Sequence, residues 1–229
     1  MMYQNRYGFA TLCIVSVLYV LTVCSCSRDK ERKELEAKHE VIQKAFMTEN
    51  DRDKKEALLV DLLNIEVMGL GTLDPALTRY KENEDLFEES VMARCLVAVA
   101  QAMKANEVKE IRDKLKWLST SNDHFEELHR KWPDNTIVHV YHASTLASLP
   151  PEVGAYDETM GLVEQLLKHG EFNGASNLED YQTQIGYIIE KLHKSPIDED
   201  GTRRLANMEE RYRKLFVIEG TEEKEDRHE

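Results

Sequence analysis

The chain has 229 residues, with 43 acidic against 30 basic side chains and a formal charge of −13 at pH 7. That balance excludes a nucleic-acid surface, which needs clustered Lys and Arg, and a body lying on anionic lipid. It leaves solvent, a protein partner or a cation as what the surface meets.

From Gly8 to Val23 the sequence carries no charge, and Arg6 is the one charged residue before it. A short basic lead, an apolar core and small residues at the exit make a secretory signal. The run to Cys26 also approaches the roughly 20 apolar residues that span a bilayer. Arg28, Lys30, Arg32 and Lys33 follow it. As an uncleaved anchor they would hold the body in the cytoplasm, and a plain cleaved signal is a third reading. The exit tetrad Val23-Cys24-Ser25-Cys26 resembles the lipobox of bacterial lipoprotein precursors, with Cys24 an unusual occupant of the middle slot. The resemblance implies removal of residues 1–25 and acylation of Cys26. With Ser27 next, it implies an outer-membrane location on the periplasmic face.

Of the four cysteines only Cys95 lies beyond this segment. No disulfide can form within the body, so packing must hold the fold. Cys95 sits in an Ala- and Val-rich stretch and reads as a small buried side chain.

After Cys26 the periodicity is helical. Residues 26–50 form a charged helical stalk, and 51–218 a helical repeat-like domain. Residues 219–229 form an acidic tail with too little apolar surface to fold alone. Within the domain, Lys54 to Met68 puts Leu58, Leu59, Leu62, Leu63 and Ile65 on one side, until Gly69 and Gly71 break it. Leu86 to Lys104 is apolar on most sides, as a central helix is. Val108, Ile111, Leu115 and Leu118 fall at helical spacing in a helix to Trp117 or Leu118, so Leu86 to Leu118 shows a hairpin, and Ser119-Thr120-Ser121-Asn122 reads as a turn with cap chemistry. A short helix holds Phe125, Leu128 and Trp132 and stops at Pro133. Three more follow, at Ile137–Leu149, around Tyr156, Met160, Val163 and Leu167, and from Leu178 to Leu192. Leu205, Met208, Tyr212, Leu215 and Phe216 close the series. The expectation is an all-α chain of about eight helices whose short loops make antiparallel hairpins.

Phe125, Leu128 and Pro133 fall at the spacing of the end of the second helix in a tetratricopeptide repeat. Pro ends one helix there and sets the turn into the next. In the same register Ala143 and Ala155 fall at small-residue positions and Leu146 at a core position. This segment resembles a TPR array. The motif's usual residues are replaced at His139, His142 and Thr159, and Pro150-Pro151 interrupts the following turn. The resemblance implies a solenoid whose concave face, made by the first helix of each pair, takes a peptide or protein.

His124, His129, His139 and His142 are the candidate chemistry. His139 and His142, three apart, share a helix face, a spacing compatible with a metal. No cysteine or carboxylate pair joins them, so no metal or cofactor is assigned. His139, Tyr141 and His142 are the candidate ligand contacts, and Cys26 the candidate lipidation site. Glu88-Glu89 and Glu126-Glu127 are adjacent, and adjacent side chains on a helix point apart. No nucleophile, base and orienter stand at working spacing, so the reading is not an enzyme but a lipid-anchored envelope scaffold. A solute- or metal-binding transport accessory, with His139, Tyr141 and His142 converging on a cavity, is one rival. A single-pass protein with a cytoplasmic helical domain is the other.

Overall fold

The computed structural model describes residues 29–149, 153, 155–169 and 178–216. The proposed lipidation site Cys26, the apolar run before it and the tail 219–229 lie outside these. Among the described residues there are nine α-helices and no strand. The chain divides into two compact units, Met1–Glu82 and Asn83–Glu229.

In the first unit, α1 covers residues 29–48. Ile42 and Phe46 are its buried pair, one turn apart, while Val41 is 67% exposed. The second helix, α2 (Arg52–Asn64), starts where the Asp51 side chain accepts the Lys54 N–H at 3.1 Å, satisfying one orphan donor of the first turn. It buries Leu59, Leu62 and Leu63, then continues as a π-helical turn, Ile65–Leu70.

Gly71 ends that turn at φ 64°, donating its N–H to the Glu66 carbonyl. This left-handed conformation disfavours a Cβ. No atom lies within 4 Å of where a Cβ would sit, so Gly71→Ala isolates the backbone effect. It is expected to cost about 1 kcal/mol, read as a lowered unfolding midpoint. Pro75 then occupies the first turn of α3 (Leu73–Glu82), where its missing N–H is harmless.

The π turn also buries a charge. Glu66 is 1% exposed. Arg79 of α3 donates to it from Nε at 3.1 and 3.2 Å and from Nη2 at 2.7 Å, and His39 Nε2 of α1 donates at 2.8 Å. The same face of α1 brings Leu35 against Gly69, where an added Cβ would lie 3.2 Å from Leu35 Cδ1.

The second unit holds α4 (Val91–Glu107), α5 (Ile111–Lys131), α6 (Thr136–Ala147), α7 (Tyr156–His169), α8 (Leu178–His193) and α9 (Glu199–Phe216). They pair as the hairpins α4/α5, α6/α7 and α8/α9. The first helices pack in the order α4–α6–α8, and α7 packs on α9. Buried Ala93, Ala98, Ala100, Ala102 and Ala105 let α4 lie close to its neighbours. One core gathers Val140, Val163, Ile185, Ile188 and Leu205. A second gathers Cys95, Ala98, Phe125, Leu128 and Val138. Burial pushes the Cys95 thiol up to about 12, so it stays a neutral, apolar filler.

Three boundaries differ from the sequence expectation. The expected turn at Ser119–Asn122 is the middle of α5. Its hydroxyls are satisfied inside the helical frame: Ser121 Oγ donates to Ala98 O of α4 at 2.7 Å, and Thr120 Oγ1 to Lys116 O at 2.9 Å. The hairpin expected over Leu86–Leu118 turns at Val108–Glu110, but its second helix runs on to Lys131 rather than ending near Leu118. Ile111 and Leu115 in that stripe face solvent, 74% and 60% exposed. Helix α4 itself begins at Val91, behind a 3₁₀ turn at Glu84–Leu86.

Candidate functional site

Helix α5 packs on α4 and α6, α7 packs on α6 and α9, and α5 and α7 share no comparable seam. Between them α6 presents the buried His139 and His142. Sequence sets this up at one turn. Trp132 N–H closes α5 onto Leu128 O at 2.7 Å. Asn135 Oδ1 then accepts from Ile137 and Val138 N–H at 3.0 and 3.3 Å to start α6. That reversal brings His129, near the end of α5, beside His139 and His142 of α6.

The three imidazoles form one cluster. His129 and His139 meet edge to face at 4.7 Å between centroids, and His142 stacks on Phe125 at 4.5 Å and 11°. His142 Nε2 donates to Asn122 Oδ1 at 3.3 Å. Its Nδ1 is therefore the acceptor, taking the His129 Nε2–H at 3.1 Å. The result is a directed chain, His129 to His142 to Asn122. His139 donates Nδ1–H to Asn135 O at 2.9 Å, and its Nε2 lies 2.9 Å from Gln165 Oε1 of α7.

Burial dominates the electrostatics. It lowers His142 to about 3, helped by its neighbours His129 and His139, and lowers His129 to about 4, helped by His139. Both are neutral at pH 7. Such rings donate and accept hydrogen bonds but supply no charge. His124 belongs elsewhere. Its Nδ1 lies 3.3 Å from Gln101 Oε1 on α4, and burial, then Arg94, lower it to about 4. Among the described residues no three His, Cys, Asp or Glu side chains are grouped to hold a metal.

The cluster divides two grooves. The larger, about 1060 Å³, is lined by His129 and His139 with residues of α7 and α9, among them Gln165, Lys168, Arg204 and Arg211. The smaller, about 410 Å³ and mostly apolar, is lined by His142 with Leu115, Leu118, Phe125, Leu146 and Val153. Tyr141 lines neither. The expected convergence of His139, Tyr141 and His142 on one cavity is therefore corrected. The 100° helical step puts Tyr141 nearly opposite His139 and about 100° round α6 from His142.

That side of α6 is partly covered: Ile137 and Tyr141 pack against the core of Cys95, Phe125 and Val138, and the Ser144 hydroxyl is buried. Ile137, Tyr141, Ser144 and Ser148 fall on one line along α6, and Ser148 Oγ lies 3.3 Å from Tyr187 Oη of α8. Tyr187 is 41% exposed, with the Lys191 ammonium 5.3 Å from its ring. The sequence reading missed Gln165 and Asn122, which fix the histidines, and the Tyr187 edge. It also missed the buried Glu66 triad. A lone Glu between Ile65 and Val67 in a Leu-rich run was the available signal for that one.

No protein-family model matches the chain, and no curated protein matches it in sequence. Among solved structures it is similar to a thermophilic TPR protein of Thermus thermophilus, with a TM-score of 0.51 and 16% identity. The match covers 86% of this chain and 96% of that one. The fold is thus all-α and tetratricopeptide-like, an array of helical hairpins.

Proposed function

We propose that the protein is a lipid-anchored scaffold of the bacterial envelope that holds a partner protein or peptide on the face formed by α4, α6 and α8. The observation that carries this is the side-by-side packing of the three first helices. Along it exposed Ser148 lies beside exposed Tyr187, with partly buried Tyr141 about two turns back on the same line of α6. Solenoid arrays bind along such a face, and half-exposed tyrosines supply rigid contact area with a polar handle. The anchor rests on the Val23-Cys24-Ser25-Cys26 tetrad and acylation of Cys26. An acyl-anchored protein facing the periplasm at the outer membrane is the location that tetrad and Ser27 favour.

Two measurements test the reading. Intact mass should show loss of residues 1–25 with added acyl mass, abolished by Cys26→Ala along with membrane retention. An uncleaved chain in the membrane would replace the lipid anchor with a spanning one. A photo-crosslinking residue at Tyr187 should give a discrete adduct in cells, weakened by Tyr141→Ala. The same probe at Lys116, exposed on α5, should give none. Equal adducts at both positions would remove this face as the binding surface.

A further inference from the structure

The smaller groove combines apolar walls with acceptors that have no donor facing them. Leu115, Leu118 and Phe125 of α5 and Leu146 of α6 supply the walls, around about 410 Å³, a volume within the range of ligand pockets. Glu158 of α7 is the one charged side chain among the described residues that lines it. Arg112 and Lys116, either side of Leu115 along α5, do not line it. Glu158 Oε1 lies 3.9 Å from His142 Nε2, beyond hydrogen-bond length, and that ring is neutral at pH 7. Most other polar side chains of the lining have committed their protons. Ser121 Oγ donates to Ala98 O and Thr145 Oγ1 to Tyr141 O, both at 2.7 Å. Asn122 Nδ2 donates to Glu126 at 3.1 Å, and His142 Nε2 donates to Asn122 Oδ1 at 3.3 Å. Their remaining capacity is lone pairs, with Ser119, which is exposed, the exception.

We propose that this groove binds a small amphiphilic amine, with its apolar body against Leu115, Leu118, Phe125 and Leu146 and its ammonium on the Glu158 carboxylate. An ammonium brings donors and no acceptor, the complement of this lining, and a charge opposite to Glu158. A carboxylate ligand would meet Glu158 with like charge, and a neutral alcohol would leave it unpaired. Leu115 is 60% exposed, so the apolar body covers surface that otherwise faces water. Glu158 and the α5 wall are no part of the face along α4, α6 and α8, so this site is independent of the partner surface.

Methyl NMR titration of the full chain in dilute detergent solution tests this, with phenylbutylamine, phenylbutanol and phenylbutanoate as probes. The amine should shift the Leu115, Leu118 and Leu146 methyls and leave Ile188, buried in the other core, in place. Each variant is compared with the parent chain for the same probe, so partition into micelles cancels. The Glu158 side chain is 52% exposed, so its replacement leaves the packing intact. Glu158→Gln should weaken the amine about three- to five-fold, as loss of an exposed ion pair does, and leave phenylbutanol unchanged. Glu158→Lys should strengthen phenylbutanoate by a similar factor. No shift at millimolar amine, shifts spread beyond the groove, or an amine affinity untouched by Glu158→Gln would each overturn the proposal.

Discussion

Glu66→Ala is expected to destabilise the first unit by about 3 to 5 kcal/mol, the range for removing one partner of a buried, hydrogen-bonded charge pair. The carboxylate is 1% exposed and accepts three close contacts from Arg79 and one from His39. Without it the Arg79 guanidinium, 17% exposed, keeps its desolvation and loses its bidentate partner. Glu66→Gln fills the same volume and still accepts a bond, so a smaller loss of about 2 kcal/mol is expected. A double replacement, Glu66→Leu with Arg79→Leu, should recover much of the single-mutant loss, since the desolvation cost leaves with the charges. Urea denaturation, with hydrogen exchange at Leu62 and Leu63 to report this unit alone, measures all three. A Glu66→Ala chain with an unchanged midpoint would show that the triad contributes nothing net.

The second large effect is on acid stability. His124, His129 and His142 all have folded-state values far below the ordinary 6.5, at about 4, 4 and 3. At a pH between those values and 6.5 the unfolded chain binds protons that the folded chain does not. Their contribution is therefore complete above about pH 6.5 and is lost as pH falls toward 4. His142, the most buried, should cost about 2 kcal/mol at pH 5. Half-buried His129 should cost less after solvent screening. A steep fall in unfolding midpoint between pH 6.5 and 4.5 is expected, and His142→Phe, an apolar ring against Phe125, should flatten it. A mutant with the parental pH slope would contradict the burial argument. Ordinary carboxylate losses begin lower, toward the usual carboxylate range near about 4, so the upper half of the window belongs to the histidines.

Much of the fold was legible because helical periodicity and a few stops dominate this sequence. Phe125, Leu128 and Pro133 sit at a hairpin junction as their spacing required, and Ala143 is fully buried between helices. Asn135 caps α6 as its side chain allows. The errors arose where one residue type has two uses. Ser and Thr signal turns when local bonds serve the backbone, yet Ser121 spends its hydroxyl across the hairpin on Ala98. That bond joins residues 23 apart, beyond any local pattern. The site was half legible. The spacing of His139 and His142 placed them on one face, but joining His129 to them required knowing how tightly the turn at Trp132–Asn135 reverses. Tyr141 was grouped with them by adjacency in sequence, and the helix separates what adjacency joins.

The π turn at Ile65–Leu70 carries a genetic consequence. Its i→i+5 bonding accommodates one residue more than an α-helical turn would, so it behaves as an insertion absorbed without breaking the helix. Deleting a single residue there, for example Met68, which is 57% exposed, would restore regular winding. It would also rotate everything downstream by about 100° relative to α2. Arg79 would leave Glu66 and Gly71 would lose its place as the stop. In this stretch a one-codon deletion should be worse tolerated than most substitutions, and a compensating insertion nearby should rescue it.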